Sequence, residues 1–262
     1  MKFPILTAFA GLALGFLTHQ SVTSNVEDPV AEAVFARDRP ADDLVRDATR
    51  KPARVLDFFD IKRGMVVADF VGSGGYYTEL LSRAVGPEGH VYLQNPPELI
   101  ERFMRPRIEA RLAGDRLENV TRLDETLDGS SIPDGSLDAA ILVRFYHDFG
   151  HLEVDRPAFN AMVFDKLKPG GVFGVVDHHA KPGAGLTVGL SLHRIDEDMV
   201  QYELEQAGFV LEAKSFVLED QTDTLDWNIF DPDAAGRDTT SRFVHLYRRP
   251  PVMPDTPRPE DE

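Results

Sequence analysis

Cysteine is absent from the 262 residues. That excludes disulfides, thiolate metal sites and a cysteine nucleophile, and it leaves the redox compartment open. Positive charge is scarce: 28 lysines and arginines stand against 44 acidic residues, a formal charge of −16. A chain this acidic repels nucleic-acid phosphates and anionic lipid, so neither DNA nor RNA is an expected partner. The apolar run Phe3–Leu17 is about 15 residues long, short of the roughly 20 that a membrane span needs. Tryptophan occurs once, at Trp227, and no internal repeat is visible.

Hydrophobic residues make up 42%, enough for a packed core, and the length suits one large domain or two small ones. Lys2, the apolar run after it and the polar exit Thr18–Ser21 have the order of a secretory signal peptide. Small residues near Val22–Thr23–Ser24 offer a cleavage point, although no Ala-x-Ala stands there. Residues 1–24 are therefore expected to be a signal peptide or an uncleaved N-terminal anchor. Either places the domain outside the cytoplasm, in the periplasm if the source is a Gram-negative bacterium. Residues 25–60 are expected to form a helical extension, a lid or brace. It has Val30, Val34 and Phe35 on one face, Leu44, Val45 and Ala48 continuing the pattern, and a second short helix after Pro52. Residues 61–249 hold the main domain, and 250–262 are an acidic, proline-rich tail expected to be disordered.

The main domain is organised around Val66–Ser82, VVADFVGSGGYYTELLS. Val66–Ala68 reads as a buried strand ended by Asp69. Gly72, Gly74 and Gly75 form a turn, and Tyr77, Leu80, Leu81 and Ala84 recur at helical spacing. A strand, a glycine turn and a helix let a backbone approach a ligand and aim free N–H groups at it. Strands at His90–Leu93, Val120–Leu123, Ala139–Val143 and Val172–Val176 alternate with helices at Tyr76–Val85, Glu98–Leu112 (interrupted by Pro106) and Pro157–Leu167. A helix capped by Asp196 ends at Ala207–Gly208. The strands Phe209–Leu218 and Phe243–Tyr247 follow with no helix between them, so they pair antiparallel. The expectation is a doubly wound α/β sheet of Rossmann-like type, with helices on both faces and ligands at the carboxyl ends of the strands.

VVADFVGSGGYYTELL, GPEGHVYLQN, PDGSLDAAILVRFYHDF and DKLKPGGVFGVVDHH, in that order, resemble the class I S-adenosylmethionine-dependent methyltransferases over about Val66–Tyr247. More narrowly, GGYYTELL after an acidic strand end with a signal-like N-terminus is similar to predicted exported bacterial methyltransferases. The resemblance implies a seven-stranded sheet with an antiparallel last strand and S-adenosyl-L-methionine as cofactor. It also implies cofactor contacts at Asp69, Gly72, Gly74, Gly75, Tyr76, Asn95 and Asp124. The sequence departs from the family at three places. The alternate positions where the family carries glycine are Val71, Ser73 and Gly75 here. Asn95 replaces the acid expected to hold the ribose hydroxyls. For the adenine amine, Asp124 or Glu125 is available, while a gapless match puts Thr126 there.

Methyl transfer from a sulfonium asks the protein for alignment and, where needed, a base. RFYHDFGH follows the fourth strand, so His147 is the candidate general base, with Asp148 to orient or replace it. His178 stands at the same edge after the fifth strand. His147 equally suits packing against the next helix, whereas Asp69 is the leading cofactor residue, with capping of the helix after the turn as the lesser alternative. His193 and Arg194 offer an anion site, and Trp227 either stacks on a substrate or anchors a loop. No compact metal motif is present; His147 with His151, and Asp177 with His178, are the pairs that permit one. The expected function is methyl transfer to a small molecule. A non-catalytic ligand-binding protein on the same fold is the alternative. A nicotinamide oxidoreductase is a third class, disfavoured by the LKPGG turn and the antiparallel last strand.

Overall fold

A computed structural model describes residues 28–232, 236 and 238–251. The leader or anchor expected over residues 1–24, and the tail beyond residue 251, lie outside the described residues.

Asp28 starts α1 (Pro29–Phe35) by accepting from the Val30 and Ala31 amides, with Pro29 in the first turn. α1 buries Val30 and Val34, but Phe35 is 76% exposed, against the shared face expected for all three. One residue beyond Val34 lies about 100° further round the helix, off the buried stripe. α2 (Ala41–Arg50) and α3 (Pro52–Phe58) meet at Lys51, which is left-handed. Leu44 and Val45, expected to continue an apolar face, are exposed, and Asp43 is buried instead. α2 thus turns a charged face inward.

The alternating core follows. β1 (Val66–Phe70) leads through the glycine turn to α4 (Tyr76–Val85) and β2 (His90–Asn95). The continuous helix expected over Glu98–Leu112 is instead α5 (Pro97–Leu99), a wide turn at Ile100–Met104 and α6 (Arg105–Leu112). Pro106 sits in the first turn of α6. It has no N–H to continue a ladder, and the helix widens just before it. β3 (Val120–Asp124), β4 (Leu137–Val143), a tight turn at Tyr146–Gly150 and α7 (Arg156–Lys166) come next. β5 (Leu167–His178) begins five residues before the expected Val172, because Lys168–Gly171 joins the sheet through a register shift opposite Leu137 and Ala139. α8 (Gly189–Leu192) and α9 (Glu197–Gln206) precede β6 (Val210–Ser215) and β7 (Arg242–Arg248). Asp196 caps α9 as expected, accepting from the Asp198 amide. β6 ends before Leu218, whose carbonyl accepts from the Arg242 amide.

The described residues form one seven-stranded sheet, ordered β3-β2-β1-β4-β5-β7-β6. β1 to β5 are parallel, and β7 lies antiparallel between β5 and β6. Both faces are covered, so the central strands are apolar throughout. Val67 and Ala68 are both fully buried and point to opposite faces, each into its own core cluster. α3 closes one face through Phe59, whose ring lies where a Cβ on Gly174 of β5 would come within 2.6 Å. Gly174 is what lets that ring reach the sheet. Burying a side chain of this size stabilises by about 1.5–3 kcal/mol.

Candidate functional site

Strand order reverses between β1 and β4, and in such sheets the crevice opens at the carboxyl ends beside that reversal. A cavity of about 830 Å³ lies there. Its walls are the glycine turn, the start of α4, the inward face of α2, one side of α6 and the edge after β4 and β5.

The glycine turn takes an unusual form. Val71, Ser73 and Gly75 are left-handed, with φ of 50°, 56° and 78°, while Gly72 and Gly74 are not. The left-handed residues therefore fall at the alternate positions where the family resemblance expects glycine, and only one of them is glycine. Gly72 serves for space instead: a Cβ there would sit 2.5 Å from Asp69 Oδ2. A Cβ on Gly74 would press on Arg107. The turn is laced to the end of β2. Val71 donates to Gln94 Oε1, Ser73 N donates to Asn95 Oδ1 at 2.8 Å, and Asn95 Nδ2 donates back to Ser73 O at 3.2 Å.

Asp69, at the end of β1, lines the cavity and accepts from Thr78 Oγ1 at 2.6 Å. Burial pushes its carboxyl up to about 7, opposed by the hydrogen bonds from Thr78 and by Arg111. Tyr76 lines the cavity with its hydroxyl donated to Asp47 at 2.6 Å and the Arg50 guanidinium 4.6 Å from its ring centroid. Below the turn, Arg111 donates to Gly74 O and pairs with Asp43 of α2 and Glu79 of α4. Arg83 and Arg116 share Glu79. This buried ion network fastens the N-terminal extension to the glycine turn.

At the opposite wall Asp177, fully buried at the end of β5, holds His147. Its Oδ1 lies 2.6 Å from Nδ1, and its Oδ2 accepts from the His147 amide at 2.9 Å. Nε2 of His147 is buried and has no hydrogen-bond partner. Burial opposes charge on this ring, but the carboxylates of Asp177 and Asp148 outweigh it and raise the imidazole to about 9. Asp148 is held below the usual carboxylate range by His147 and His193, against burial. Its Oδ1 lies 3.3 Å from His147 Nε2 and 2.6 Å from His193 Nδ1. His178 is different. Burial and the neighbouring Arg144 keep it neutral, its Nε2 accepts from Arg144 Nε at 3.0 Å, and its Nδ1 meets Thr240.

The structure thus brings Asp69, Gly72, Gly74, Tyr76, His147, Asp148 and His178 to one cavity. Three of the residues expected to contact a cofactor lie off the cavity wall. Asn95 does not line the cavity, and both ends of its amide are bonded to the backbone of Ser73. Asp124 does not line it either, and forms a surface pair with Arg122 at 2.7 Å. Gly75 lies behind the turn against Arg111. His178 lines the cavity but acts as a link between Arg144 and Thr240, not as an available base. Arg194 and Trp227 are anchors: Arg194 is fully buried, paired with Asp223 at 2.9 Å and stacked 4.5 Å from the Trp227 ring centroid. Arg46, Arg50, Arg107 and Arg144 also line the cavity, and no sequence motif marks them. On α2 their signal is a helix whose apolar residues face outward, which periodicity alone does not reveal.

No family model matches the chain. One curated relative, a protein-L-isoaspartate O-methyltransferase of Methanothrix thermoacetophila, is 38% identical over 60 residues, 22% of this chain and 29% of that protein. The chain thus matches less than a third of that relative's length. Among solved structures, an S-adenosylmethionine-dependent methyltransferase of Mesorhizobium loti superimposes with a TM-score of 0.56. It has 18% identity, and the match covers 78% of this chain and all of that one. The [4+2]-cyclase SpnF superimposes with a TM-score of 0.52 and 15% identity, covering 80% of this chain and 82% of that one. The fold is that of the class I methyltransferases.

Proposed function

We propose that the chain is an S-adenosylmethionine-dependent methyltransferase for a small molecule. The observation that carries the reading is that Asp69 at the glycine turn and the Asp177-held His147 face one cavity. Asp69 is a buried carboxylate with its charge poorly compensated, which suits a cationic amino group. Gly72 leaves room beside it. At the other end Leu99, Phe103 and Met104 offer apolar surface for an adenine ring. When bound, the cofactor would supply an electrophilic methyl and a neutral leaving group. His147 in its neutral form accepts a proton from the acceptor at Nε2, with Asp177 fixing the ring and stabilising the imidazolium.

A second reading, a ligand-binding protein or another activity on this fold, is supported by the loss of Asn95 to the turn and by the likeness to a cyclase. The two are separated by titration calorimetry of the full chain with S-adenosylmethionine and S-adenosylhomocysteine, with Asp69→Asn alongside. Micromolar binding that weakens at least tenfold in the variant supports the methyltransferase. No heat at millimolar cofactor removes it.

Export is part of the proposal, supported by the basic, apolar and polar order of residues 2–21. N-terminal sequencing of the protein from a cell's soluble extracytoplasmic fraction tests it. A mature start near residue 24 is expected for a cleaved leader, and retention in the membrane fraction for an anchor. An intact chain in the cytosol overturns it.

A further inference from the structure

We propose that His147, Asp148 and His193 form a binding site for a divalent transition-metal ion of the zinc class, on the cavity wall. The methyl-transfer reading does not require it, and an ion there would take the His147 Nε2 lone pair that a general base needs, so His147 serves one role or the other. One donor atom from each residue lies within 4.8 Å of the others. His147 Nε2 to Asp148 Oδ1 is 3.3 Å, and Asp148 Oδ1 to His193 Nδ1 is 2.6 Å. Donors bound at ~2.1 Å in a tetrahedron stand about 3.4 Å apart, so an ion needs the Asp148–His193 pair to open from its hydrogen-bonded 2.6 Å.

Three independent features point the cluster at an ion. His147 is 2% exposed, and its Nε2 is buried without a hydrogen-bond partner while facing Asp148. The other ring nitrogen is fixed by Asp177 at 2.6 Å, the arrangement by which a carboxylate orients a metal-binding histidine and strengthens its free nitrogen. His193 is presented by a left-handed residue at the end of α8, and its ring is steadied by stacking on His151 at 4.5 Å and by the edge of Phe230. His151 itself is bonded to Gly189 O, so it supports the site and does not ligate.

Two imidazoles and one carboxylate suit zinc, cobalt, nickel or ferrous iron better than magnesium or calcium, which take mostly oxygen. Three protein donors leave a coordination position free. Because His147 and Asp148 line the cavity, an ion held by them would border the space where a small molecule would lie. An oxygen-bearing ligand is the class that such a position would take.

The test uses the full chain, expressed without a histidine tag and stripped with chelator. Cobalt(II) is titrated in while visible absorption is read, and zinc is titrated by calorimetry. One ion per chain is expected, with the intense visible bands of a four- or five-coordinate cobalt site. His193→Ala and Asp148→Asn should each weaken binding at least tenfold, and Asp177→Asn by about 10–100-fold through the ring it holds. His90→Gln, which alters an imidazole bonded only to Thr121 on β3, should change nothing. Circular dichroism confirms that each variant is folded, and His193→Gln stands in if His193→Ala is not. Absence of binding at 100-fold excess metal overturns the proposal and leaves the cluster as an Asp148 carboxylate hydrogen-bonded to His193 and ion-paired with His147. Binding undiminished in the folded His193 and Asp148 variants overturns it equally.

Discussion

Asp177 Oδ1 and His147 Nδ1 lie 2.6 Å apart, and both side chains are shut off from solvent. The same carboxylate also accepts from the backbone amides of His147 and His178. One acid at the end of β5 therefore fixes the ring, the backbone and the tautomer of the residue that follows β4. This pins Nε2 as the atom turned toward Asp148. Titration of the ring by NMR should place His147 near 9, against about 6.5 for a free histidine. The base is the neutral form, so any proton transfer to His147 should slow about tenfold for each unit that pH falls below 9. Asp177→Asn removes the main attraction for the imidazolium, and its His147 should titrate at lower pH. An unchanged value in the variant would refute this account of the pair.

Asp69 carries a second pH dependence, read in stability. Its folded value of about 7 is above the 3.8 of an unperturbed aspartate. Between about 4 and 7 the folded chain keeps a proton that the unfolded chain has released, so this group's contribution to stability falls as pH rises and levels off above 7. Asp69→Asn lacks the penalty. It should match the wild type near pH 4 and exceed it by ~2–4 kcal/mol at pH 8 in urea unfolding. A cationic ligand group beside Asp69 favours the ionised form, so affinity for S-adenosylmethionine should rise between pH 5.5 and 7.5.

Ser73 is left-handed, exposed and without a packing role. A side chain in that conformation costs about 1–2 kcal/mol relative to glycine. Ser73→Gly should raise stability by ~1 kcal/mol, read as a shift of the urea midpoint at unchanged slope. Val71→Gly should not, although Val71 is also left-handed, because Val71 is 4% exposed and belongs to the core.

Glu79 is the hub of the buried network, with a side chain 1% exposed and paired with Arg83, Arg111 and Arg116. Removing one member of a buried ion group leaves the others uncompensated, at a cost of about 3–5 kcal/mol. Glu79→Ala should lose that much and should also loosen α2, through Arg111 and Asp43. Hydrogen exchange in residues 41–50 reads the second effect. Stability loss without faster exchange there would mean that α2 is held by other contacts.

The sequence by itself determined the fold. Apolar strands set between helical patterns, and two late strands with no helix between them, leave few ways to arrange a sheet, and the observed order with an antiparallel β7 is one of them. It also pointed to the edge that holds the cavity, because Asp69, His147, Asp148 and His178 all lie at or just after strand ends. Tertiary structure decided what each of these residues does. A rotation of one residue along α1 exposes Phe35, and α2 faces inward with charge, because burial is set by the partner surface and not by periodicity alone. The family resemblance implies a ribose contact for Asn95, and only the fold shows its amide bonded to Ser73 at 2.8 Å. His193 lies far along the chain from Asp148, and no spacing rule links residues 45 positions apart. Their contact depends on how the α8 segment packs on the turn after β4, which is a property of the whole sheet and its connections.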